Sequence, residues 1–125
     1  MAASSILVIG NNAHFCYLMK RYIRKSAHRS LLIHLGSEAY AAIHQEKPAA
    51  IILEIAHPDN EGWEILHSLK TDPATCHIPV VICSWRDEIK LSQIEEANAF
   101  LHMPILYEEF LKALVAIGLC PLKGS

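Results

Sequence analysis

Residues 49–66 read AAIILEIAHPDNEGWEIL, an apolar run that breaks at Pro58 and resumes at Gly62 with helical spacing. Residues 49–55 are apolar on both faces except for Glu54, the pattern of a strand at the centre of a parallel sheet that is covered on both sides. Past the turn at 57–62, Ile65, Leu66 and Leu69 fall on one face of a helix. The stretch is a strand, a turn and a helix, with a single carboxylate delivered to the C-terminal end of the strand. Open α/β sheets gather ligands and chemistry at that end, so function turns on what surrounds Glu54.

The same alternation extends in both directions. Residues 6–9 form a short apolar strand closed by Gly10-Asn11-Asn12, with Asn12 placed to cap the following helix. Phe15, Leu18, Met19, Tyr22 and Ile23 recur at i, i+3, i+4, i+7 and i+8, the inner face of that helix. Lys20, Arg21, Arg24 and Lys25 occupy its outer face near the C-terminal end, where cations suit the helix dipole, and read as a solvated surface. Residues 31–35 are a second strand ended by Gly36, and Ser37 is placed to cap a small helix through Tyr40 and Ile43. Lys47-Pro48 stops it. Residues 78–83 are a fourth strand ending beside Ser84, residues 86–97 a weaker helix, residues 99–102 a short fifth strand, and residues 106–119 the last helix. Strands and helices alternate five times, which implies a parallel sheet with helices on both faces and right-handed crossovers. The flavodoxin-like order 2-1-3-4-5 suits this length. One domain spanning residues 1–125, with a core of about 5–119, is expected.

Composition narrows the function classes. The chain has 125 residues, 52% of them hydrophobic, and a net charge of −2, with a slightly positive mean hydropathy. A nucleic-acid surface normally shows a basic excess, which is absent. No apolar run approaches a membrane span, and the N-terminus has no basic region ahead of its apolar run, so a signal peptide is not expected and a cytoplasmic protein is. The four cysteines, Cys16, Cys76, Cys83 and Cys120, form no CxxC pair and read as reduced thiols acting as small hydrophobes. The eight histidines show neither HxxxH nor HExxH spacing, so zinc has no local support.

The strand ends bring together Gly10, Asn11 and Asn12 after the first strand, Glu54, Ala56 and His57 after the third, Ser84 after the fourth, and His102 and Met103 after the fifth. One acid, amides, a hydroxyl and imidazoles do not compose a catalytic set, and no enzyme activity is expected.

The segments ILVIGNN, PAAIILEIAHPDNEGWEIL, IPVVICSW and EANAFLHMPI, in this order, resemble the receiver domain of two-component response regulators, the phosphoacceptor module related to CheY. The resemblance covers about residues 5–119 and is most specific in the second segment, where Pro58 and Gly62 keep the family's offsets from the phosphoacceptor position. It implies the CheY-like α/β/α fold and a role in two-component or phosphorelay signal transduction.

The same resemblance implies a degenerate site, that of a pseudo-receiver. Receivers carry a pair of acids after the first strand that hold Mg²⁺ together with the phosphoacceptor aspartate. Here those positions are Gly10 and Asn11, and Mg²⁺ demands hard oxygen ligands, so Mg²⁺ binding is expected to be lost and no cofactor is expected. The phosphoacceptor position is Glu54, one methylene longer than aspartate, and a misplacement of about 1 Å can cost about a hundredfold in rate. The family's lysine is Met103. Phosphoryl transfer rests on positioning and electrostatic stabilisation, and both are weakened. Ser84 and Phe100 match the family's switch hydroxyl and aromatic. Two readings of Glu54 follow. It accepts a hydrogen bond from Ser84 and holds an active-like arrangement, or it is a polar residue at a strand end, hydrated or bonded to Asn11; the second is preferred. Pro104 keeps the family's proline, so a cis Met103–Pro104 bond is expected.

The resulting expectation is an atypical receiver domain that works by protein contact independently of phosphorylation. Two alternatives stay open: a phosphorylatable receiver with residual activity at Glu54, and a binder in the vacated pocket, either of a small molecule or of a metal held by His14, His57 and His102 with Glu54. Receivers commonly signal through the fourth helix, fifth strand and last helix. The last helix is apolar on more than one face through Phe110, Leu111, Ala113, Leu114, Val115, Ala116, Ile117 and Leu119, which reads either as a helix end tucked under a terminus or as an exposed patch for docking or a homodimer, the patch being preferred. Trp63 and Trp85 read as packing over the strand-end loops.

Overall fold

The computed structural model describes residues 5–26, 28–33, 38–55, 61–85 and 97–119. In chain order these form β1 (Ser5–Ile9), α1 (Ala13–Lys25), β2 (Arg29–Ile33), α2 (Glu38–Glu46), β3 (Ala50–Glu54), α3 (Glu61–Thr71), β4 (Val80–Ser84), β5 (Ala99–His102) and α4 (Tyr107–Ala116). The sheet is parallel with order β2-β1-β3-β4-β5, the flavodoxin-like arrangement expected from the alternation. All but the last residue of the helix expected over residues 86–97, the turn at 57–60, Gly36, the cap at Ser37 and Cys120 lie outside the described residues.

The sheet is central because its strands have no polar face to offer water. Every residue of β3 and β4 is buried, Glu54 and Ser84 included. Strand pleating divides the apolar side chains between two layers. Ile6, Val8, Ala50, Ile52, Val81 and Cys83 face α1 and α4, where Phe15, Met19, Ile23, Phe110 and Leu114 close the core. Leu7, Ile9, Ile51, Leu53, Val80 and Ile82 face α2 and α3, packed by Ile43, Ile65, Leu66 and Leu69. Strand β5, at the sheet edge, is only partly buried.

Local chemistry sets the helix ends. Asn12 caps α1, its side-chain oxygen accepting the Phe15 N–H at 2.9 Å. The Glu109 carboxylate reaches back to the Leu106 N–H at 2.9 Å, satisfying one of the free donors at the start of α4. Tyr22 couples the two helices on this side. Its hydroxyl donates to the Ile105 carbonyl at 2.8 Å, and its ring packs against Tyr107 and Phe110.

Some boundaries move from their expected positions. The fourth strand starts at Val80 rather than Ile78, because Ile78 closes the preceding turn with its N–H on the Thr75 carbonyl. The last helix ends at Ala116, since Ile117 and Gly118 (φ +85°) form the turn that stops it. Its wide apolar surface is largely consumed by the core: Phe110, Ala113 and Leu114 are buried, and Leu111, Ile117 and Leu119 pack against them. Val115 and Ala116 stay exposed on α4, with Leu106 just before it.

Candidate functional site

Sheet register decides what Glu54 meets. Val8 pairs with Ile52 and Ile9 with Leu53, so one step further Gly10 lies beside Glu54. Parallel partners project to the same side, here the α1 side of Val8 and Ile52. The glutamate therefore points at the β1–α1 connection. Its Oε1 accepts the Asn11 N–H at 3.0 Å and the Asn12 N–H at 3.1 Å. These are backbone donors at and just ahead of the α1 cap, and a negative charge there is favoured by the helix dipole, by about 0.3–1 kcal/mol and more when partly buried.

The fit depends on Gly10. A Cβ at that position would stand 2.7 Å from Glu54 Oε1 and 3.1 Å from Glu54 Cβ. The longer acid at 54 occupies space that any side chain at 10 would need. Glu54 is 2% exposed, and its Oε2 has no hydrogen-bond partner among the described residues. The charge reaches the thiols nearby: burial pushes the Cys16 and Cys83 thiols above their ordinary pKa, and the Glu54 carboxylate pushes them the same way.

The other positions singled out in the sequence fall in different places. Asn11 is exposed at the turn. Ser84 is fully buried at the end of β4, its carbonyl accepting the Met103 N–H at 2.8 Å. Strand alternation that sends Cys83 toward α1 turns Ser84 to the other side, the side on which Phe100 packs against the α2–α3 layer. Glu54 takes its two hydrogen bonds from backbone N–H groups, and Ser84 supplies none to Oε2. Met103 is buried in the core beside Phe15, and the Met103–Pro104 bond is cis. Met103, Pro104 and Ile105 line a small cavity of about 130 Å³ with Phe15, Leu18 and the exposed Trp85. Trp63 packs partly buried against the α2–α3 layer.

His14 and His102 are exposed, and His57 lies outside the described residues. Among the described residues no group of three or more His, Cys, Asp or Glu is disposed to hold a metal ion. No described helix is long and apolar enough to cross a membrane.

Comparison with known proteins agrees with this geometry at the level of the fold. No family model matches the chain. It is 26% identical over 115 residues to protein PilH of Pseudomonas aeruginosa, covering 90% of this chain and 95% of PilH. It is 25% identical over 114 residues to the polar-differentiation response regulator DivK of Brucella anthropi, covering 88% of this chain and 92% of DivK. The solved CheY-like receiver domain of a Methylobacillus flagellatus response regulator matches with a TM-score of 0.81 and 16% identity, over 93% of this chain and 99% of that one. DivK is named a response regulator and the Methylobacillus structure is a CheY-like receiver domain, so the chain shares the CheY-like fold.

Against that background the decisive partners of Glu54 are ones that side-chain reasoning passes over. The Asn11 and Asn12 contributions are backbone N–H groups, which any residue but proline supplies. Gly10 contributes by lacking a side chain. The legible signal was a lengthened acid at 54 combined with a glycine one register step beyond the Ile9–Leu53 pair.

Proposed function

We propose that this chain is an atypical receiver domain of two-component or phosphorelay signalling, acting in the cytoplasm by protein–protein contact without phosphorylation and without enzyme activity of its own. The observation that carries the proposal is the state of Glu54, whose carboxylate is buried and bonded to the Asn11 and Asn12 N–H groups. Phosphorylation needs a carboxylate oxygen presented in line to a phosphodonor and a cation to offset the charge that develops. Here Oε1 is held by two donors, Oε2 is inaccessible to solvent, and Met103, at the position of the family's lysine, is part of the apolar core.

Mg²⁺ does not fit the residues present. Gly10 offers no side-chain oxygen, and the space a ligand there would occupy is filled by Glu54 itself. An internal carboxylate thus takes over the loop-ordering task that an ion would otherwise perform, and the arrangement is permanent. Signalling then depends on surfaces. The exposed Leu106 and Val115 beside β5 and α4 are the apolar part of the contact face, open to a protein partner or a second copy.

The test is exposure to acetyl phosphate and Mg²⁺, read by intact mass and by amide NMR shifts at residues 10–12 and 54. Unchanged mass and unmoved amides are expected. A gain of one phosphoryl group would overturn the proposal in favour of a residual phosphoacceptor.

A further inference from the structure

At the far end of the sheet from Glu54, two connections leave a cavity between them. One runs from α2 through Lys47 and Pro48 into β3, the other from α3 into β4. The cavity measures about 370 Å³, within the size range of small-ligand sites. Its floor is apolar: Ile43, Pro48 and Ile78 are all buried. Thr75 joins the wall with its hydroxyl donated to the Leu69 carbonyl at 2.8 Å, so its polar group is already engaged.

The rim is built from donors: Lys47, His77 and His44, with no acid among the described lining residues. His44 is engaged by two partners. Nδ1 lies 2.8 Å from the Tyr40 carbonyl and Nε2 3.3 Å from the Asp72 carboxylate. Both partners are acceptors, and they favour the protonated ring, raising the His44 pKa above its ordinary value. With His44 engaged by Asp72, Lys47 is the rim cation that makes no ion pair among the described residues.

Lys47 also stands at a costly backbone position. Its φ is +48°, and its N–H closes α2 on the Ile43 carbonyl at 3.0 Å. Glycine is the usual occupant of such a left-handed helix end, because a Cβ is strained there. Strain retained at one residue points to a use for its side chain. The carbonyl end of α2 opposes an anion nearby, so an anion held here must be held by the side chains.

We propose that this cavity binds a small organic monoanion, a carboxylate on a ring-sized apolar body, with the body on Ile43, Pro48 and Ile78 and the carboxylate on Lys47 and His77. The proposal does not depend on the state of Glu54. Amide NMR titrations with benzoate, benzyl alcohol and benzylamine test it on the parent chain and on Lys47→Gly. Benzoate is expected to shift the amides of His44, Lys47, Ala74 and His77 saturably and to bind about tenfold or more tightly than the other two probes. Lys47→Gly is expected to weaken benzoate by about tenfold while its Tm holds or rises, since φ +48° suits glycine. No saturable shift, equal binding of benzyl alcohol or benzylamine, or undiminished binding by Lys47→Gly would overturn it.

Discussion

At position 54 one methylene changes what the carboxylate can reach. The longer arm carries Oε1 to the backbone N–H groups of Asn11 and Asn12, and the missing side chain at Gly10 leaves room for it. The two residues therefore act as a pair. Gly10→Ala is expected to destabilise the fold by about 1–3 kcal/mol, because the new methyl group meets Glu54 in a packed interior. Glu54→Ala is expected to cost about 1–3 kcal/mol by stranding two backbone donors. In the double variant the 2.7 Å contact with Oε1 is gone while the approaches to the Cβ at 54 and to Phe15 remain, so Gly10→Ala should cost less, though not nothing, on the Glu54→Ala background. Urea denaturation of the four proteins measures this coupling. Additive losses would mean that the glycine and the glutamate do not compete for the same space.

At the scale of elements, the connections at the lower end of the sheet are fastened by charged side chains. Lys70 of α3 donates to the Ile78 carbonyl at 2.9 Å and to Asn98 Oδ1 at 2.6 Å, and the same Asn98 oxygen accepts the Val80 N–H. Burial lowers the Lys70 pKa below its ordinary value. His44 of α2 shows a dependence on pH. Its pKa is raised above the ordinary 6.5, chiefly by the hydrogen bond to the Tyr40 carbonyl, which outweighs desolvation, with Asp72 adding in the same direction. A raised folded-state pKa means that the folded chain binds more protons in the window between the two values. The contribution of His44 is present in full below about pH 6.5 and is lost as pH rises through the raised value. Tm measured from pH 6 to pH 8 should therefore fall less in His44→Gln than in the parent. An identical slope would show that the imidazolium contributes nothing to stability.

Across the whole molecule, the two apolar layers enclose the sheet so fully that Cys16 and Cys83 are both buried, whereas Cys76 is exposed. Burial and the Glu54 charge both disfavour the thiolates of Cys16 and Cys83, and the thiolate is the reactive form. With Cys76 and Cys120 replaced by serine, labelling of the remaining thiols at about pH 8 should run about a thousandfold or more slower than in the urea-unfolded chain, paced by global opening. Fast labelling of Cys83 would mean that β4 opens locally.

The sequence by itself determined the architecture. Apolar runs with both faces buried could only be central parallel strands, and the helical spacing of Phe15, Met19 and Ile23 could only cover one side of them. It also determined the chemical inventory at the strand ends, from Gly10 and Asn11 to Glu54, Ser84 and Met103. Those inferences rest on periodicity and residue type, which are local properties of the chain. The direction of the Glu54 carboxylate, the backbone donors that hold it and the meaning of Gly10 as space were decided by the register of β1 against β3, as was the side of the sheet taken by Ser84 by the pleat of β4. The extent to which α4 is covered, and the cavity behind Lys47, likewise depend on distances between segments far apart in the chain. Only packing in three dimensions sets those distances, because each segment alone is free to satisfy its polar groups with water and its apolar groups in other ways.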